Sequence, residues 1–438
     1  MGDTHRRYGR RAATTISTFA VLAAVGVTAA CGTTSTTNSQ GKAAPSAGPL
    51  SLAITPAAGT ANVPISAEVG VKVTGGKVSD VSLTKAGSTE KLPGNMRDDG
   101  TSWVPTTPLG FSSAYNVAVT GKGADGKTVT QKTSFSTMGK PGNEAGTALY
   151  MFDGETVGVG MPVVLEFNPP VPESARAEVQ KRLFVTTNPP QPGVWHWPSG
   201  SQVWYRAPNY WKPGTTISVR SALAGLPMGQ GRYGDQDRSA NVAVGNKVFL
   251  DVDNATKQMK VYTDDQLVRT MPVSLGKPST PSSSGYMVLM SHQESTVFDT
   301  TAEGPGGYRV SVNWAMRLTW GGEFIHAAPW SVDDQGVRNV SHGCLNMSDA
   351  NSHWLFNTAH VGDPIRVQGT EVALTNGNGW TAWNVPWSEY IKGSALPVSK
   401  ALASIVTTPE SVSAITPPAT TPAPRTPSAA TPAVATTP

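Results

Sequence analysis

Apolar residues in this chain recur at every second position, in runs too short for a helix face and cut off by turn residues. Val69, Val71 and Val73 alternate with small or polar residues, as do Tyr115, Val117 and Val119, and Leu52 with Ile54. Successive side chains on a strand point to opposite faces, so this period gives each short strand one apolar face. The breaks carry turn chemistry, as in Asp98-Asp99-Gly100 and Ala124-Asp125-Gly126-Lys127. With 45 glycines, 35 prolines and 15% charged residues, the chain is expected to bury those faces in β-modules joined by turns rather than in helical bundles. Its 438 residues suffice for about three domains. The formal net charge of +4 is small and the basic residues are scattered, which gives no case for nucleic acid as a partner.

The chemistry concentrates in residues 324–347, FIHAAPWSVDDQGVRNVSHGCLNM. This stretch holds Cys344, the only cysteine beyond the N-terminal region, and two of the seven histidines, His326 and His342. A thiol is a strong nucleophile only as thiolate, and a nearby imidazole can take its proton. Gly343, just before the thiol, permits a tight bend that turns backbone N–H groups toward a reacting oxygen. Phe324 and Ile325 suggest a strand that carries His326 to its edge. The pattern of His326, a spacer (327–340) and then Ser341-His342-Gly343-Cys344-Leu345-Asn346 resembles the signature of L,D-transpeptidases of the YkuD-type fold. Ala327-Ala328-Pro329-Trp330 after the first histidine, and Gly306-Gly307-Tyr308-Arg309 upstream, are similar to the mycobacterial multi-domain branch of these peptidoglycan cross-linking enzymes.

The resemblance implies acyl transfer. Cys344 would attack the carbonyl between the third and fourth residues of a stem tetrapeptide and release D-alanine. His326 would be the base, oriented by the backbone carbonyl of Ala327. The N–H groups of Gly343 and Cys344 would hold the oxyanion, with the Tyr308 hydroxyl as a further donor. The side-chain amine of a second stem's diamino acid would then take the acyl group, giving a 3→3 cross-link. Carbapenems, which imitate the donor, would acylate the same thiol. His342 is expected to orient the loop or the acceptor, and Ser341 and Asn346 to hold the loop through side-chain to backbone hydrogen bonds. Trp330 is expected to wall the cleft or to pack in the core. Three other readings remain open: an L,D-carboxypeptidase with water as acceptor, a papain-like thiol endopeptidase, and a non-catalytic wall-binding lipoprotein. Neither CxxC nor HExxH spacing is present, so no metal and no cofactor is expected.

Residues 1–31 read as an export signal. Arg6, Arg7, Arg10 and Arg11 precede an uncharged run over 12–30, which ends Val27-Thr28-Ala29-Ala30-Cys31. That ending resembles a bacterial lipobox, in which the cysteine (here Cys31) is lipidated; Thr28 stands where Leu, Val or Ile is usual. Ordinary cleavage near Ala30 and an uncleaved signal anchor are the alternatives. The expected location is outside the cytoplasmic membrane, anchored to its outer face by lipid and facing the wall. Cys31 and Cys344 lie in different contexts, so no disulfide is expected between them.

The mature chain then divides by composition. Residues 32–48 form a flexible Thr/Ser/Gly/Ala linker and 49–140 a first immunoglobulin-like sandwich. Residues 141–245 form a second, in which Trp195, Trp197, Trp204 and Trp211 act as core packing or as a glycan-stacking platform. Residues 246–369 are the catalytic domain; within it 291–307 read as a long lid loop whose glycines supply hinges. Residues 370–396 form a Trp-rich subdomain expected to pack back on the catalytic domain, and 397–438 a disordered Pro/Thr/Ala tail.

Overall fold

The computed structural model describes residues 49–407 except 98 and 304–306. The export segment with Cys31, the linker and most of the tail lie outside the described residues. Among the described residues, no helix is long and apolar enough to cross a membrane.

Period-two alternation produces two sandwiches in tandem. In the first, one sheet runs Ser51–Thr55, Val69–Thr74, Ser102–Pro105, Gly94–Met96, and the other Thr60–Val63, Thr128–Thr137, Ala114–Gly123, Gly76–Lys85. Leu83, Val117, Val119 and Val69 are buried between them. In the second, Thr156–Val157, Arg238–Val244, Thr216–Ser221 and Leu183–Asn188 face a five-stranded sheet centred on Gln202–Arg206 and Val163–Asn168. Trp195, Trp197, Trp204 and Trp211 are all buried there, so they form core and no glycan platform. The two sandwiches are joined by charge, since Arg97 and Arg182 both reach the Glu68 carboxylate.

The catalytic domain also has two sheets. Six strands run in the order Gln266–Pro272, Gln258–Thr263, Val248–Asp253, Pro364–Gln368, Ser283–Val288, Val372–Ala373. Four more run Ser291–Asp299, Arg309–Arg317, Phe324–Ala327, Leu345–Met347, the last two in parallel. Asp349–Thr358 is a helix capped by Ser348, whose side chain accepts from the Asn351 N–H, and it buries Leu355 beneath the site. The segment read as a lid loop is corrected here. Ser291–Asp299 pairs with Arg309–Arg317 over nearly its whole length, so the cover is a β-hairpin. Exposed polar residues such as Gln293 and Glu294 hide a strand that turns only one face inward.

The subdomain after 369 packs back on the catalytic domain, where Val372–Ala373 pairs with Ser283–Val288 and Leu374 is buried in the core, and it reaches further. Trp380, Trp383, Trp387 and Tyr390 join the core of the second sandwich, to which the catalytic domain contributes Val288 and Met290, with Tyr286 and Val361 packed against it. Arg206, 3% exposed, donates to the carbonyls of Ala382 at 3.1 Å and Val385 at 2.9 Å. Its guanidinium also lies over the rings of Trp383 and Tyr390, at 4.4 and 4.3 Å. A further link runs to the catalytic domain, where Asn384 Oδ1 accepts from the Tyr286 N–H at 3.1 Å. The segment is a strap across two domains rather than an appendage of one.

Candidate active site

Parallel pairing sets the site. Ile325 lies opposite Leu345 and His326 opposite Asn346, so Cys344 stands two residues before the position opposite the imidazole, at the start of the neighbouring strand. Both line a cleft of about 490 Å³ together with Tyr308, Trp330, Ser341, His342 and Asn346. Phe298, on the covering hairpin, meets the His326 ring edge-on at 5.2 Å and the Phe324 ring at 4.7 Å. The hairpin therefore roofs the cleft with an aromatic side chain.

His326 is held in one orientation. Its Nδ1 lies 2.8 Å from the carbonyl oxygen of Ala327, which can only accept; Nδ1 therefore carries the hydrogen and Nε2 is left basic. Burial pulls the imidazole below its usual titration range, against the Ala327 bond. Burial also pushes the Cys344 thiol up to about 11; a facing N–H of Phe324 opposes that shift and the charge of Glu323 adds to it. The resting pair is a neutral thiol and a neutral imidazole.

The loop bearing the thiol is tied from inside. Ser341 Oγ donates to the Cys344 carbonyl at 2.6 Å and accepts from the Gly343 N–H at 3.1 Å. This corrects the expected oxyanion hole: the Gly343 amide is turned inward to Ser341, because the hydroxyl closes a short turn within its own loop. Gly343 has φ +122°, and the nearest neighbour to where a Cβ would stand is Glu323 Cγ at 3.8 Å, so backbone conformation rather than space demands glycine. Asn346 differs from expectation too. Its Nδ2 donates to the side chain of Ser331 at 3.1 Å and its backbone pairs with Ser274, so the tie is between side chains and joins the nucleophile strand to the 329–334 turn. Trp330 is 57% exposed with its ring 6.1 Å from His326; it stands at the cleft wall and takes no part in the core. His342 is exposed at the rim of the cleft, its ring 5.0 Å from Tyr308 and its Nε2 3.1 Å from Lys277 Nζ.

Three contributors escaped the sequence reading. Ser282, 1% exposed, donates to the Gly343 carbonyl at 2.7 Å and accepts from the Gly276 N–H at 2.9 Å. Lys277 reaches His342, and Gly322 presents its carbonyl to Cys344 Sγ at 3.7 Å. Lys277 and Ser282 lie in the stretch GKPSTPSSS, whose turn-rich composition marks a loop without saying what it grips.

The chain belongs to the L,D-transpeptidase family. The model of the L,D-transpeptidase catalytic domain matches residues 247–367, and that of a bacterial Ig domain matches 60–227. The chain is similar to L,D-transpeptidase 2 of Mycobacterium tuberculosis (strain CDC 1551 / Oshkosh), at 33% identity over 343 residues, covering 77% of this chain and 83% of that protein. L,D-transpeptidase 5 of Mycobacterium tuberculosis (strain H37Rv) is 32% identical over 355 residues, covering 79% of this chain and 77% of that one. A solved structure of the LD transpeptidase LdtMt1 in complex with imipenem is 32% identical, with a TM-score of 0.44, and spans 52% of this chain and 100% of that one.

Proposed function

We propose that this chain forms 3→3 cross-links in peptidoglycan through a thioester on Cys344. The reading is carried by one observation: the thiol shares its cleft with an imidazole whose Nδ1 is fixed on the Ala327 carbonyl, leaving Nε2 as the base. His326 Nε2 takes the thiol proton as the sulfur attacks the donor carbonyl. The carbonyl oxygen becomes an oxyanion, held by the Cys344 N–H and the Tyr308 hydroxyl. The Gly343 carbonyl belongs to the same peptide as the Cys344 N–H, so Ser282 fixes the direction of that donor. Collapse breaks the donor's C–N bond, and the imidazolium gives its proton to the departing D-alanine amine. The acceptor amine then attacks the thioester, loses a proton to His326, and frees the thiol.

Lys277 and His342 sit at the rim as an orienting pair for the acceptor or the donor terminus. Trp330 supplies an apolar wall for the stem. Carbapenems would form the same acyl bond with Cys344. Lipidation at Cys31 and a location on the outer face of the cytoplasmic membrane complete the proposal, and they rest on the sequence of the export segment.

The test is mass spectrometry of products after incubation with a purified disaccharide-tetrapeptide. A dimer lacking one D-alanine is the expected result. A tripeptide monomer alone would make the protein an L,D-carboxypeptidase. In Cys344→Ala neither product forms and no carbapenem adduct appears; an adduct persisting there would move the nucleophile elsewhere.

A further inference from the structure

The loop from Thr319 into the His326 strand touches the thiol through both peptides of a single residue. Cys344 Sγ lies 3.7 Å from the Gly322 carbonyl, and the Phe324 N–H faces the sulfur. Those two groups belong to the peptides on either side of Glu323. The Glu323 backbone N–H is itself held by Thr319 Oγ1 at 3.1 Å. Its half-buried side chain turns beside the nucleophile loop, where Oε1 accepts from the Ser283 N–H at 2.9 Å. The Cγ lies 3.8 Å from the position a Cβ on Gly343 would take. The carboxylate is thus held by the neighbour of the serine that grips the Gly343 carbonyl, and Glu323 is not among the residues that line the cleft. No step of the acyl transfer uses it.

We propose that Glu323 is a positioning residue for the nucleophile, anchoring Ser283 beside the thiol loop and setting a negative charge near the sulfur, so that it stays a thiol until His326 takes its proton. The inference rests on Cys344 being the nucleophile. An anion near a thiol disfavours the thiolate, and here the residue that carries it has both of its flanking peptides against the sulfur. The neighbouring charges do not cancel it. Arg317 lies over the Phe324 ring at 4.7 Å and donates to the Thr319 carbonyl at 3.1 Å, and among the described residues no ion pair joins it to Glu323. From the cleft side the sulfur faces His326, with His342, Tyr308 and Asp334 along the walls and Lys277 on His342. Burial raises the carboxyl of Glu323 above the usual carboxylate range, opposed by the Ser283 bond. The arrangement stores the nucleophile as a thiol and couples its ionisation to the base.

The test reads the thiol directly. In the full chain, alkylation of the Cys344 peptide by iodoacetamide is followed across pH by mass spectrometry, which keeps it apart from Cys31. Glu323→Gln retains an oxygen for the Ser283 N–H and removes the charge. Its alkylation midpoint is expected about one pH unit below wild type, giving about tenfold more thiolate at a pH beneath both midpoints. Lower basicity makes that thiolate a weaker nucleophile, so the net rate there rises about threefold. Glu323→Asp keeps the charge, and its midpoint stays with wild type. An unmoved midpoint in folded Glu323→Gln, or an equal shift in Glu323→Asp, overturns the proposal. Should Glu323→Gln not fold, Glu323→Met carries the same measurement; failure of both to fold would confine the residue to the fold and overturn it as well. An error in the choice of nucleophile would appear instead as an adduct on Cys344→Ala, which this titration does not read.

Discussion

Ser282→Ala offers a direct test of how the oxyanion donor is held. The hydroxyl sits at 1% exposure between two backbone groups, donating to the Gly343 carbonyl at 2.7 Å and accepting from the Gly276 N–H at 2.9 Å. Removing it leaves a buried carbonyl and a buried N–H without that partner, at about 1–3 kcal/mol each, so a stability loss of about 2–6 kcal/mol is expected. A unit this large loses roughly 5–15 °C in melting temperature for that change. The catalytic effect is separate. Complete loss of one oxyanion donor is worth about 2.7–4 kcal/mol. Here the Cys344 N–H remains and only its aim loosens, so about half that amount is at stake, or roughly 10–30-fold in acylation rate. The assay is single-turnover acylation by a carbapenem, followed by intact mass, with thermal unfolding measured alongside. Ser282→Thr keeps the hydroxyl and serves as the control. Acylation within about twofold of wild type, in a variant whose melting temperature has fallen as expected, would refute the idea that Ser282 aims this amide.

Two further outcomes follow from buried charge. Arg206→Met removes two carbonyl contacts to the strap and the cation above two of its rings; calorimetry should show a loss of about 3–5 kcal/mol, less whatever desolvation cost is recovered. His326 titrates below its unfolded value because of burial, so its stability contribution is fully present above about pH 6.5 and is lost as pH falls toward the folded value. Urea unfolding at several pH values should show that loss diminished in His326→Gln. The acid limb of the acylation profile should likewise lie below about pH 6.5.

What could be read in the sequence depended on how local the cause was. Strands such as Val248–Asp253 and Gln258–Thr263, and the Ser348 cap, follow from neighbouring residues, and the period of the side chains is enough to find them. The His326 and Cys344 pair was legible because both lie in one short motif whose spacing is specific. The covering hairpin was not, since its outward face is polar and its partner strand begins only at Arg309. The inward turn of the Gly343 amide depends on one rotamer of Ser341, and the grip of Ser282 on the same loop spans 61 residues of chain. No local pattern reports either contact. The strap's hold on the second sandwich was hidden for the same reason. Its tryptophans announce burial, while the partner is Arg206, far earlier in sequence: its Nη2 bond to Val385 separates residues by 179.

That route has a consequence for how such proteins can be recombined. Trp383 Nε1 donates to the Gly160 carbonyl and Tyr390 to the Trp204 carbonyl at 2.9 Å, so part of the second sandwich's interior is encoded on the far side of the catalytic domain. A gene fusion cut near 245 or near 369 would separate halves of one interior and strand a buried guanidinium without its carbonyls. The first sandwich meets the second through the Glu68 ion pairs, the Arg220 donation to the Pro105 carbonyl at 2.7 Å and Ala224, so a cut between the two leaves most of its core on one side. The part from the second sandwich to the end of the strap therefore has to be moved as one block in any recombinant, with added modules placed ahead of it.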